Sequence, residues 1–311
     1  MIFSHLSRFG AACALPALLG LGMPATADVP ESQEPIKIAV QEAAGQYFNA
    51  HILGRVLQEA GYNVEYVSAG YYPQVQGVAD GDIDMALGLW SSNIGEGWME
   101  LFDSGQVLDA GEIGYMGVET WYANDAALAA CPGIETDIMV LNDCAQALAT
   151  AETFPKGRLL DYPIEWGTSN ELRIAALDLP LVSQPAGSEG ALVAELNSAI
   201  ERKAPLVMMF WAPHWSLLTV EYGWIDMPED LVNKYSLQKP RVFKAGWPGM
   251  FDKWPVAARF IQNFTVDNAT QELLMGQVDN DGMDLMEATG AWIDANPGVW
   301  QPMVDKAMEG S

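Results

Sequence analysis

The sequence predicts an α/β chain folded as two lobes. Short apolar runs of strand length alternate with segments of helical period from Ile36 onward, the pattern of βα units in largely parallel sheets. A chain of 311 residues that is 50% hydrophobic exceeds the size at which single cores divide. Several strand-like runs also end on tryptophan. In open α/β sheets the carboxyl ends of strands are where ligands lie.

The elements follow in order. After a polar leader from Asp28 to Glu34, Ile36 to Val40 reads as a strand. Gln46 to Ala60 is a helix with Phe48, Ile52, Val56 and Leu57 on one side, closed by Gly61, and Val64 to Val67 is the next strand. These make a βαβ unit. Val75 to Gly81 is helical, and Ile83 to Leu89 is a strand ending on Trp90. Gly114 to Tyr122 and Arg158 to Asp161 are strands, Ser169 to Leu177 and Glu189 to Arg202 helices, and Pro205 to Trp211 a strand broken at Pro213. From Pro255 the chain is mainly helical, and no repeat or low-complexity tract occurs.

The first 27 residues combine Arg8, the apolar stretch AACALPALLGLGM and Ala25-Thr26-Ala27, the pattern of a cleaved export signal. Asp28 is therefore expected to begin the mature chain. Cys13 lies inside this segment behind Gly10-Ala11-Ala12, without the leucine-type position of a lipoprotein signal. Cys131 and Cys144 remain, and in an oxidising compartment an even pair reads as a disulfide. The segment CPGIETDIMVLNDC has neither histidine nor zinc-ligand spacing. The formal net charge of −26 leaves no basic face for nucleic acid and favours solubility and attraction of small cations.

Trp90 and Trp211 stand at predicted strand exits, Trp121 near the end of a third strand, and Trp166 ahead of a helix in EWGTSNEL. A single such indole is more often packing. Several at equivalent places would converge on one cleft. A quaternary ammonium offers no N–H, so ring faces must hold it, at up to about 2 kcal/mol each where water is excluded. The remaining indoles, including Trp98, Trp215 and Trp292, are assigned to packing.

The chain resembles the substrate-binding proteins of ABC transporters for glycine betaine, choline and related quaternary ammonium osmolytes. The resemblance is carried by IKIAVQEA and LQEAGYNVEYV, GDIDMALGLW, GVETWYA, the Trp166-Gly167 pair, FWAPHW and the tail GAWIDANPGVW. It implies a two-lobed periplasmic binding protein fold of type II-like form, with the ligand cleft between lobes. The implied division is residues 28–122 and 241–311 in one lobe and 123–240 in the other. It also implies that the positions of Trp90, Trp166 and Trp211 form a cage, with an aromatic at the position of Trp121 in choline binders.

One departure stands out: choline binders carry a cage tryptophan where this chain has Ala43, beside Glu42. Glu42 is either a partner for ligand charge or a solvated turn carboxylate. Tyr47, Phe48 or Tyr71 could supply the missing ring, and spacing chooses none of them. For a ligand carboxylate, Gly167 and Thr168 offer amides: Thr168 with Glu171 forms a capping-box pattern beside Trp166. His214 could reach the same carboxylate or serve as a packing corner.

Enzyme readings lack a motif: there is no G-x-S-x-G, and Asp279-Asn280-Asp281-Gly282 fails as a calcium loop because Gln277 and Ala288 fall where acids are required. No cofactor motif or metal site appears. The expectation is an exported, monomeric, periplasmic binding protein delivering a glycine betaine or choline type ligand to an ABC permease. Trimethylamine N-oxide and dimethylsulfoniopropionate are rival ligands. A sensor or adaptor subunit and a secreted hydrolase are the rivals from other classes.

Overall fold

The computed structural model describes residues 29–41, 45–95, 97–167, 169–217, 223–235 and 239–309. The expected signal 1–27, Asp28, Glu42, Ala43 and Thr168 lie outside the described residues.

Among the described residues nine strands form two sheets. The first contains β1 (Ile36–Val40), β2 (Val64–Ser68), β3 (Met85–Trp90), β4 (Leu108–Glu112) and, far along the chain, β9 (Val242–Gly246), in the order β2-β1-β3-β9-β4. The second contains β5 (Val118–Ala123), β6 (Gly157–Asp161), β7 (Leu181–Pro185) and β8 (Val207–Ala212), in the order β5-β8-β6-β7. The chain passes from the first sheet to the second between β4 and β5, and returns between β8 and β9.

These passages correct two expectations. The sheets are mixed rather than largely parallel: β9 runs antiparallel to β3 and β4, and β5 runs antiparallel to β8. Each is a strand that has just crossed from the other sheet, so no helical crossover sets its direction. β5 pairs with β8 over all six of its residues. It therefore belongs with the second sheet, whereas the N-terminal lobe was expected to run through residue 122.

The first βαβ unit forms because α1 (Gln46–Glu59) turns Phe48, Ile52, Leu53 and Val56, all fully buried, onto the parallel strands β1 and β2. Helix α2 (Pro73–Asp80) starts on a proline and stops at Gly81, whose left-handed φ of 77° a β-carbon would strain. β3 is buried at every position, so it reads as a continuous apolar run rather than an alternating one.

Three strands escape sequence reading. β4 (LDAGE) and β7 (LVSQP) lie at sheet edges and carry polar side chains, as edge strands do. β9 is interrupted by Lys244, a residue that is fully buried. Its ammonium donates to the carbonyls of Ile261 at 2.9 Å and Phe264 at 2.6 Å, closing the helix Pro255–Asn263. Burial pulls its pKa down to about 8.

Cys131 and Cys144 are joined by a disulfide, with 5.5 Å between Cα atoms. Among the described residues no helix is long and apolar enough to cross a membrane.

Candidate functional site

The carboxyl ends of β3 and β8 come together at a small, partly open chamber lined by residues of both sheets and the turns that follow their strands. Its walls are aromatic. Trp211 comes from β8 and Trp166 from the 3-10 turn Ile164–Trp166 that follows β6, and they meet edge to face with centroids 5.6 Å apart at 76°. Tyr162 completes the corner, 5.5 Å from each. Trp90, the last residue of β3, and Tyr71 form the opposing wall.

The wall positions are braced. The Trp90 backbone N–H donates to the Tyr71 hydroxyl at 2.9 Å, which leaves the Tyr71 proton free to donate. The Trp90 ring lies over Gly117, where a β-carbon would come within 2.6 Å of the indole. Behind Trp211 stands His214, 4.8 Å away and perpendicular to the indole.

Glu119 supplies the chamber's only carboxyl among the described residues. It is 4% exposed. The Ser92 hydroxyl donates to it from the turn after β3, and the Tyr162 hydroxyl donates to it as well. Burial outweighs those donors and the nearby Arg173 charge, and pushes its pKa up to about 7. Near neutral pH the group therefore populates both a donor and an acceptor form. Gln46 donates its Nε2 to the Gly88 carbonyl at 2.7 Å, and its Oε1 has no partner among the described residues.

The expected site residues divide. Trp90, Trp166 and Trp211 meet at the chamber. Trp121 does not: it is fully buried, and its Nε1 donates to Asn170 Oδ1 at 2.7 Å. It shares a face of β5 with Glu119, two residues further along, so one side chain reaches the chamber while the other lies deeper in the second lobe. The Gly167 N–H is not offered to a ligand, since it donates to the Ile164 carbonyl at 3.1 Å.

His214 does not line the chamber either. Its Nδ1 accepts from the Ser216 backbone N–H at 3.1 Å, which places the proton on Nε2, directed at Glu189 Oε1 3.1 Å away. Of the three candidates for the missing ring, Tyr71 lines the chamber, Phe48 is fully buried, and Tyr47 donates its hydroxyl to Asp279.

Sequence reasoning missed Glu119 and Tyr162, and named Tyr71 only as one of three candidates for a ring. A signal existed for Glu119: in VETWYA it is an acid embedded in a strand otherwise buried from residue 119 onward. Among the described residues, no group of three His, Cys, Asp or Glu side chains could hold a metal ion.

Two mixed sheets joined by two crossings, with an aromatic chamber between them, define a two-lobed solute-binding protein. The chain belongs to the OpuAC family, the substrate binding domain of ABC-type glycine betaine transport systems, whose profile matches residues 34–295. The fold class and family expected from the motifs therefore stand. It is 26% identical over 290 residues to the trimethylamine N-oxide-binding protein of Pelagibacter ubique (strain HTCC1062), covering 88% of this chain and 91% of that one.

Among solved structures, lactococcal OpuAC closed on glycine betaine superposes with a TM-score of 0.71 at 16% identity, over 88% of this chain and 99% of that chain. An ABC-transporter choline binding protein in complex with choline gives 0.72 at 17% identity, over 90% and 99%. These likenesses are of fold.

Proposed function

We propose that this chain is the extracytoplasmic binding component of an ABC importer and captures a compact methylated onium solute, with trimethylamine N-oxide the ligand its chamber fits best. Indole and phenol faces from Trp90, Trp166, Trp211, Tyr71 and Tyr162 would surround the methylated cation, which ring quadrupoles attract and hydrogen bonds cannot hold.

Glu119 is the observation that carries the choice of ligand. A ligand carboxylate, as in glycine betaine, would meet this carboxyl with no lysine, arginine or histidine among the described lining residues to offset it. The Gly167 amide and His214 are engaged elsewhere. An N-oxide oxygen is a strong acceptor that would take a hydrogen bond from protonated Glu119, and a pKa near 7 makes that form available. The relationship to the Pelagibacter protein supports the same reading. Choline is the second reading, with ionised Glu119 balancing its charge.

Export through residues 1–27 and delivery to a membrane permease complete the proposal. Calorimetry of the purified protein against trimethylamine N-oxide, choline, glycine betaine and dimethylsulfoniopropionate tests it. Trimethylamine N-oxide should bind most tightly. Tighter binding of glycine betaine, or binding of none of the four, would overturn the choice.

A further inference from the structure

The outer side of Trp166 carries an arrangement distinct from the ring wall. Tyr72, at the start of α2, and Asn93, in the turn after β3, both belong to the first sheet's lobe, and both reach the backbone carbonyl of Trp166 in the other. The Tyr72 hydroxyl lies 3.0 Å from that oxygen and Asn93 Nδ2 donates to it. The Tyr72 proton is shared with Asn93 Oδ1, 2.8 Å away. A carbonyl at the end of a short 3-10 turn lacks an intrahelical donor, and here both donors come from across the cleft.

Gly167 makes this approach possible. A β-carbon there would sit 2.5 Å from the Tyr72 oxygen and 2.7 Å from Asn93 Oδ1. The glycine next to the cage tryptophan thus makes room for a contact between lobes. Tyr72 itself packs edge-on to Tyr71 at 5.3 Å and beside Trp98 at 5.8 Å, so its ring is fixed before the lobes meet.

We propose that Tyr72 and Asn93 form an interlobe clasp on the Trp166 carbonyl that sets ligand affinity through the population of the closed form. The inference rests on reading the chamber as the ligand site. One residue then joins the two events: the Trp166 ring meets the ligand, and its backbone oxygen receives the closing lobe. Apparent affinity scales with the fraction of protein already competent to close, so the clasp acts on every ligand alike. Tyr72 does not line the chamber and Asn93 does, which makes Tyr72 the cleaner probe.

The test uses Tyr72→Phe, which keeps the ring packing, and Gly167→Ala, which forces the same groups apart. Calorimetry with trimethylamine N-oxide, choline and glycine betaine is paired with interlobe distances from spin labels, with and without ligand. Tyr72→Phe should weaken every ligand that binds by one common factor, roughly three- to tenfold for a single net hydrogen bond. It should also widen the ligand-free interlobe distance, and Gly167→Ala should widen it too.

Unchanged affinity and distances in Tyr72→Phe, or weakening of one ligand alone, would overturn the clasp. So would closure in Gly167→Ala matching the parent. If none of the three compounds binds the parent, the ligand reading fails, and the ligand-free distances alone decide the clasp.

Discussion

Ser92, in the turn that leaves the first sheet, donates its hydroxyl to Glu119 on the second sheet. The contact ties the chamber's carboxyl to the opposite lobe, so the charge state of Glu119 and the meeting of the lobes are physically linked. With Tyr162 donating from its own lobe, Glu119 is held in place while desolvation works against its charge.

Ligand affinity should respond to pH with opposite signs for the two leading ligands. Trimethylamine N-oxide needs protonated Glu119, so its affinity should fall as pH rises above about 7, by up to about tenfold per pH unit. Choline is favoured by the ionised form, and its affinity should fall as pH drops below that point. Titration calorimetry from pH 5.5 to 8.5 reads both slopes, and parallel slopes would remove Glu119 from the ligand's surroundings.

Glu119→Gln separates charge from hydrogen bonding. The amide still donates to an N-oxide, so trimethylamine N-oxide binding should persist and lose its pH dependence. Choline should lose on the order of 2 kcal/mol, a typical charge interaction at the effective dielectric of a partly screened site.

The same substitution should alter stability with a defined sign. Because burial raises the folded-state pKa of Glu119 from 4.5 to about 7, its stabilising contribution is complete below about pH 4.5 and is lost as pH rises through about 7. That loss is on the order of 3 kcal/mol. Thermal melting of parent and Glu119→Gln should diverge in that window, with the variant the less sensitive to pH.

Trp166→Ala and Trp121→Phe form a contrasting pair. Trp166 is half-buried at the chamber wall, and removing its ring should weaken onium binding by about 2 kcal/mol, roughly thirtyfold. Trp121→Phe should leave affinity unchanged. It should lower stability by about 1 kcal/mol through loss of the bond to Asn170. Calorimetry and chemical denaturation measure the two effects separately.

Replacing Cys131 and Cys144 together by serine should cost about 3 kcal/mol in stability, the loop-closure value for a short loop, with affinity unchanged. The bridge joins residues 13 apart in the second lobe, and neither cysteine is among the chamber's lining residues. Denaturation midpoints with and without reductant supply the check.

What the amino-acid order determines by itself is local. The βαβ start, the glycine closing α1, the tryptophans at the ends of β3 and β8, the cysteine pair and the family motifs all follow from short-range patterns of period, capping and composition. The edge strands β4 and β7 and the Lys244-interrupted β9 did not announce themselves, because polar residues such as Asp109, Ser183 and Lys244 find their partners elsewhere in the chain.

Beyond the three tryptophans, the membership of the chamber was decided by tertiary structure. Glu119 and Trp121 share a face of one strand, and only the position of that strand between sheets made the acid a wall residue and the indole a core one. Tyr71 and Tyr162 enter for the same reason. Rings separated by tens of residues become neighbours only when two sheets close on each other, and no periodicity within a single segment encodes that distance.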